Sequence, residues 1–149
     1  MTNVKLISMV DHLQISERSK VDVGDVLFAM IGSIGNPVLV ETEQPFSIKN
    51  VALFKHYDST LTVPRYLLLY LLVASDEMRA QSAGGVQSFI SLGNLRSFPL
   101  PLPPAQEQRR IVAKVDELMA LCDQLKGYLA ESRQQHAQLA TVLVEQAVA

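Results

Sequence analysis

From Ala105 to Ala149 the chain contains no proline and one glycine, Gly127. Across that stretch, apolar positions step alternately by four and three: Ile111, Val115, Leu118, Cys122, Leu125, Leu129, Leu139 and Leu143, with Ser132 and His136 holding the seam between Leu129 and Leu139. This spacing is an a/d heptad repeat, the pattern of a coiled coil. At 1.5 Å per residue such a helix extends roughly 60 Å, more than one small domain can cover. The seam is therefore predicted to seek a second helix; the alternative is a helix laid wholly on its own domain. Polar seam positions weaken a coiled coil but set its register and partner; failing that, the helices splay at Ser132 and His136 and admit water. His136 has no neighbouring cluster of His, Cys or carboxylates, so no metal is expected there.

Residues 1–104 have a different texture, with short apolar runs punctuated by Gly and Pro. Gly24-Asp25 is a turn signal before Val26–Ile31, a run suited to a buried strand. Gly32-Ser33-Ile34-Gly35 breaks that run, and Asn36-Pro37 is a second turn signal. Val38–Val40 and Val51–Phe54 read as further short strands. Pro64 suits the first turn of a helix running to about Gln81, with Thr62 as a candidate cap. Residues 94–98 are too short to assign, and Pro99-Leu100-Pro101-Leu102-Pro103-Pro104 is predicted to be extended. The fold class expected is α+β, a small mixed sheet in domain 1–104 followed by one long helix over 105–149. So few short strands leave a sheet edge open, to be covered by another chain or by a missing part of the domain.

The chain has 149 residues, 48% of them hydrophobic, enough for one modest core. A net charge of −2 excludes a protein that grips nucleic acid through bulk positive charge. Cys122 is the single cysteine, which rules out an intrachain disulfide and fits a reducing cytoplasm. Residues 1–10 lack the pattern of a secretory signal, and Tyr66–Ala74 is about half of the roughly 20 residues that a membrane span needs. No membrane association is expected. Enzyme motifs are also missing: Gly32-Ser33-Ile34-Gly35 lacks the Gly-x-Ser-x-Gly frame, and no phosphate-binding loop or methyltransferase-like Pro-Pro-Tyr occurs. The chain is expected to be non-catalytic and to need no cofactor.

Three segments resemble a known family. Gly24–Gly35 is similar to the glycine-punctuated strand pair in recognition domains of type I restriction-modification DNA specificity subunits. Gly85-Val86-Gln87-Ser88-Phe89-Ile90, followed by Leu95, resembles the segment before the domain exit. Phe98–Ile111 resembles the proline exit into the family's conserved helix, and Val115–Leu125 its continuation. In this order the matches run from about residue 20 to the end. The resemblance implies a truncated target-recognition domain plus a spacer helix, belonging to a subunit that is not itself catalytic. Family members carry two recognition domains separated by two such helices, which pair antiparallel, set the distance between DNA half-sites and dock methyltransferase subunits. Here one domain and one helix are present, and the usual opening of the domain is missing before about Asn3. With one helix per chain, the expected product is a homodimer. The partners implied are DNA, the methyltransferase subunit and, through it, the restriction subunit. The rival expectation is a truncated interaction protein that dimerises or binds the methyltransferase without useful DNA affinity.

Candidate DNA contacts follow from residue type. Glycines let backbone approach a phosphate closely, which singles out Gly35 with Ser33 and Asn36 as donors beside it; a tight β-turn is the plain alternative. Lys49 and Asn50 follow a polar loop, and Gln87 and Ser88 follow Gly84-Gly85, both suited to reach a groove or to sit in solvent. Lys55, Arg65, Arg79 and Arg96 read as solvated surface charges. Arg109, Arg110 and Lys114 are offset by Glu107, Asp116 and Glu117, a mixed face for solvent or protein.

Overall fold

The computed structural model describes residues 5–82 and 89–148. The chain forms two compact units, Met1–Arg109 and Arg110–Ala149. The first holds three strands, β1 (Val26–Ala29), β2 (Gly35–Leu39) and β3 (Val51–Phe54), and the helices α1 (Met9–Ser19), α2 (Pro64–Ser82) and α3 (Leu92–Ser97). Its last residues begin α4 (Ala105–Val148), which the second unit continues. The α+β class holds. The sheet order is β2-β1-β3, and both pairings are antiparallel where a mixed sheet was expected.

β1 alternates as a half-buried strand should: Val26 and Phe28 are fully buried while Leu27 and Ala29 are not. It ends two residues earlier than its apolar run, because the chain changes partner. Met30 accepts a hydrogen bond from the Ile90 amide at 3.0 Å, and Ile31 bridges Phe89. Asn36-Pro37, expected as a turn, lies within β2. Leu27 pairs with Val38 but Ala29 pairs with Gly35, so β2 carries one extra residue there. A bulge on an edge strand tolerates proline, which has no amide to lose.

Helix α2 buries Leu68, Leu71, Ala74 and Met78 in one core with β1 and β2 residues, and Phe28 meets Phe54 edge to face at 6.0 Å within the same core. Pro64 does open α2, but Thr62 does not cap it. The Thr62 hydroxyl lies 3.1 Å from His56 Nδ1. The Val63 amide donates instead to Oε1 of Gln108, 2.8 Å away in the first turns of α4. Gln108 is fully buried, and its own amide donates to the Leu61 and Pro103 carbonyls. Tyr66 and Tyr70 donate their hydroxyls to the Pro101 and Pro99 carbonyls. The extended proline segment is thereby tied to α2 by side chains, since its prolines offer no amide of their own.

Two elements have no counterpart in the sequence reading. α1 is capped by Ser8, whose hydroxyl accepts from the Asp11 amide, and it has no buried residue. α3 is capped in the same way by Ser91 accepting from the Asn94 amide.

Asp25 is buried without exposure at the entry to β1. Its carboxylate accepts from the Asp22 amide at 2.8 Å, the His56 amide at 2.9 Å and the Lys55 ammonium at 2.7 Å. Lys55 also meets Asp22 at 2.7 Å, and its side chain is only 20% exposed. It is not the solvated charge expected from sequence. Burial pulls its pKa down, but the two carboxylates outweigh burial and hold it above the usual lysine range. Hydrogen bonds from Lys20 and then Lys55 hold Asp22 below the usual carboxylate range.

Candidate nucleic-acid interface

One end of the sheet collects most of the residues singled out above. Ala29 pairs with Gly35 on one side and with Val51 on the other. The loop after β1, the start of β2 and the approach to β3 therefore lie side by side. Ser33, Asn36, Lys49 and Asn50 are all exposed there. Asn36 and Asn50 both adopt left-handed backbone, with φ of 44° and 60°. Asparagine takes that conformation more readily than other side chains, so the two residues bracket the end of β1, Asn36 at the bulge in β2 and Asn50 just before β3. Gln87 and Ser88 lie outside the described residues; Phe89, the next described residue, bridges Ile31 at this same end.

Gly35 differs from its neighbours. It is buried, with φ of 100°, and a Cβ built on it would stand 2.6 Å from the Ser75 hydroxyl and 2.8 Å from the Ser75 Cβ. Its lack of a side chain lets β2 close on α2, and with the buried Ile34 it anchors the loop. Gly32, at φ 73°, has nothing within 4 Å of such a Cβ. The Gly32-Ser33 tip is thus open to solvent while its base is fixed. Gly35→Ala is expected to cost about 3 kcal/mol through clash and strain, against about 1 kcal/mol for Gly32→Ala. Urea denaturation of the two variants checks this, and equal costs would remove the packing role of Gly35.

Arg79 was set aside from sequence as a surface charge. The structure places its guanidinium beside Gly35, 3.7 Å from the position a Cβ would take, and 3.1 Å from Asp76. Its side chain is half exposed. The signal available in sequence was its position one helical turn after Ser75, which has meaning only once α2 is known to lie on β2. Among the described residues, no group of three or more His, Cys, Asp or Glu is placed to hold a metal. No described helix is long and apolar enough to cross a membrane.

Helix α4, taken by itself, presents the heptad seam without interruption. Ile111 and Val115 are half-buried, and every seam residue from Leu118 to Leu143 is exposed within the single chain. Ion pairs three residues apart, Lys114 with Glu117 and Lys126 with Asp123, run beside the seam at 2.9 Å.

Comparison with known proteins adds identity to this geometry. Residues 8–131 match the family described as the type I restriction modification DNA specificity domain. The chain is 30% identical over 133 residues to the type I restriction enzyme EcoEI specificity subunit of Escherichia coli, covering 84% of this chain and 22% of that protein. It is 46% identical over 85 residues to the EcoAI specificity subunit of the same organism, covering 54% of this chain and 14% of that one. The EcoBI specificity subunit is 27% identical over 112 residues, 74% of this chain and 24% of its own length. The chain thus spans between 14% and 26% of the curated relatives it matches. With the glycine loop, the proline exit and the first half of α4 all inside the matched region, the chain belongs to the type I restriction modification DNA specificity domain family.

Proposed function

We propose that the chain is a non-catalytic DNA-specificity module of a type I restriction-modification system. It contacts DNA through the sheet end that carries Ser33, Asn36, Lys49 and Asn50, with Arg79 behind them and Gln87 and Ser88 on the adjoining segment. It pairs with a second copy through α4, and the same helix docks the methyltransferase subunit, which brings the restriction subunit. The observation that carries this reading is the convergence of exposed polar side chains from three separate segments onto one sheet end. Asparagine, serine and glutamine are the residues that read base edges and phosphates through paired donors and acceptors.

Lys49 supplies the point charge for a phosphate at this end. Lys49→Ala is expected to weaken binding uniformly across duplex sequences and to lower the salt slope by about 0.9. Asn50→Ala is expected to change which duplexes are preferred. The assay is fluorescence anisotropy on random-sequence duplexes at several salt concentrations, with the chain alone and with its methyltransferase. The net charge of −2 favours the second reading, an interaction protein without useful DNA affinity. No binding even at low salt, in either form, establishes that reading in place of the first.

A further inference from the structure

We infer that α4 takes a second copy of this chain antiparallel, on a two-fold axis beside Gly127, with Cys122 of one copy against Ser132 of the other. The inference rests on the paired-helix reading above and adds its register. Eight of the ten seam residues, from Leu118 to Leu143, are exposed in the single chain, and Leu118 and Leu143 are 48% and 64% exposed. Met119, Leu121 and Tyr128 widen the same face.

Reversing one helix exchanges the two seam rows, so each residue faces its reflection through the centre of the pair. With the centre at Gly127 the helices overlap along their whole length, Gln106 opposite Val148. Leu125 then meets Leu129, Val115 meets Leu139 and Ile111 meets Leu143. The two smallest seam side chains, Cys122 and Ser132, meet each other, and the thiol offers the hydroxyl a weak hydrogen-bond partner. Only Leu118 and His136 mix, and an imidazole can turn its polar tip to the rim.

Neighbouring registers do worse. Sliding the copy by one heptad one way sets Cys122, Ser132 and His136 against Leu139, Leu129 and Leu125. Sliding it the other way sets them against Leu125, Val115 and Ile111. Each then buries the Ser132 hydroxyl on hydrocarbon without a partner, and His136 as well. A slip of two heptads pairs Ser132 with His136 and Cys122 with Gln146, but strips Ile111, Val115 and Leu118 of their cover. Parallel pairing stacks His136 on His136 and aligns the two helix dipoles. It also lacks the β-branched row that favours parallel dimers, because that row here reads Val115, Cys122, Leu129, His136 and Leu143. At four positions in seven, the part of α4 after Arg109 offers roughly 22 residues a side, within the 20–30 of a standard interface.

The test is disulfide trapping in the full chain carrying Ser132→Cys. Cys122 and a cysteine at 132 lie roughly 15 Å apart along one helix and cannot bridge within a chain. On mild oxidation the chain is expected to shift from 16.5 kDa to twice that mass on a non-reducing gel, with peptide mass spectrometry showing 122 joined to 132. The wild type and the Cys122→Ser/Ser132→Cys double variant are expected to stay at the single-chain mass. A wild-type link of Cys122 to itself would mean parallel helices, and a link in Gln146→Cys but not in Ser132→Cys would mean the two-heptad slip. A reduced Ser132→Cys dimer that never cross-links also overturns the register. In all three cases the paired helix stands. Light scattering of the wild type keeps the two ideas apart, because a monomer overturns both.

Discussion

Asp25→Ala is expected to lower the unfolding free energy by about 3–5 kcal/mol, the range for removing one partner of a buried ion pair. The substitution leaves the amides of Asp22 and His56 without their acceptor and the Lys55 ammonium with Asp22 and the Lys20 carbonyl. Those donors come from the turn before β1 and from the residues after β3, so one carboxylate joins two segments some thirty residues apart around the strand entry. A loss of that size removes a large part of the 5–15 kcal/mol that a small domain has in total. Lys55→Met is the informative comparison. It keeps both amide bonds to Asp25, and its expected cost is about 2 kcal/mol, discounted because the lysine is partly exposed. Urea unfolding followed by circular dichroism measures both, and an Asp25→Ala midpoint equal to wild type would show that the carboxylate is dispensable.

Gln108→Ala has the second largest expected effect, about 2–4 kcal/mol. Gln108 is buried, accepts from Val63 at the start of α2 and donates to Leu61 and Pro103. The Val63 amide is one of the orphan donors that every helix start must satisfy, and here a glutamine 45 residues later does so. Without it, a donor and two carbonyls lose the partner that the buried side chain supplies. The consequence is local as well as global. Amide hydrogen exchange at Val63 should accelerate about a hundredfold, equivalent to ~2.8 kcal/mol, while exchange at the buried strand residues Val26 and Phe28 changes less. Uniform acceleration across both sites would instead mean that the domain opens only as a whole. The proline segment, held by Tyr66 and Tyr70 on its other side, should loosen with Gln108.

Much of this chain was readable because its signals are local. The heptad spacing from Ile111, the strand runs at Val26 and Val51, the proline opening of α2 and the extended Pro99–Pro104 segment each depend on residues within a few turns or steps of one another. Four polar candidates, Ser33, Asn36, Lys49 and Asn50, were chosen by residue type and loop position, and all are exposed at one sheet end. Where local signals misled, a distant partner had intervened. Asn36-Pro37 reads as a turn until β1 draws it into a bulge, and Thr62 reads as a cap until Gln108 takes that place. Lys55 reads as a solvated charge because nothing near it in sequence announces Asp25 thirty residues earlier. Helix α1 escaped notice because none of its residues is fully buried, leaving a weak apolar pattern to read.

The sequence alone therefore determined the class of fold, the exit through prolines into one long helix and the seam along it, because periodicity and backbone restriction act between chain neighbours. Only the tertiary structure decided which strands pair, why Gly35 must lack a side chain, which charges are buried together and that the polar candidates share one surface. Those outcomes rest on contacts between residues tens of positions apart. Such contacts leave no spacing rule in the sequence, and they exist only once the core formed by Val26, Phe28, Leu71 and Met78 has brought the segments together.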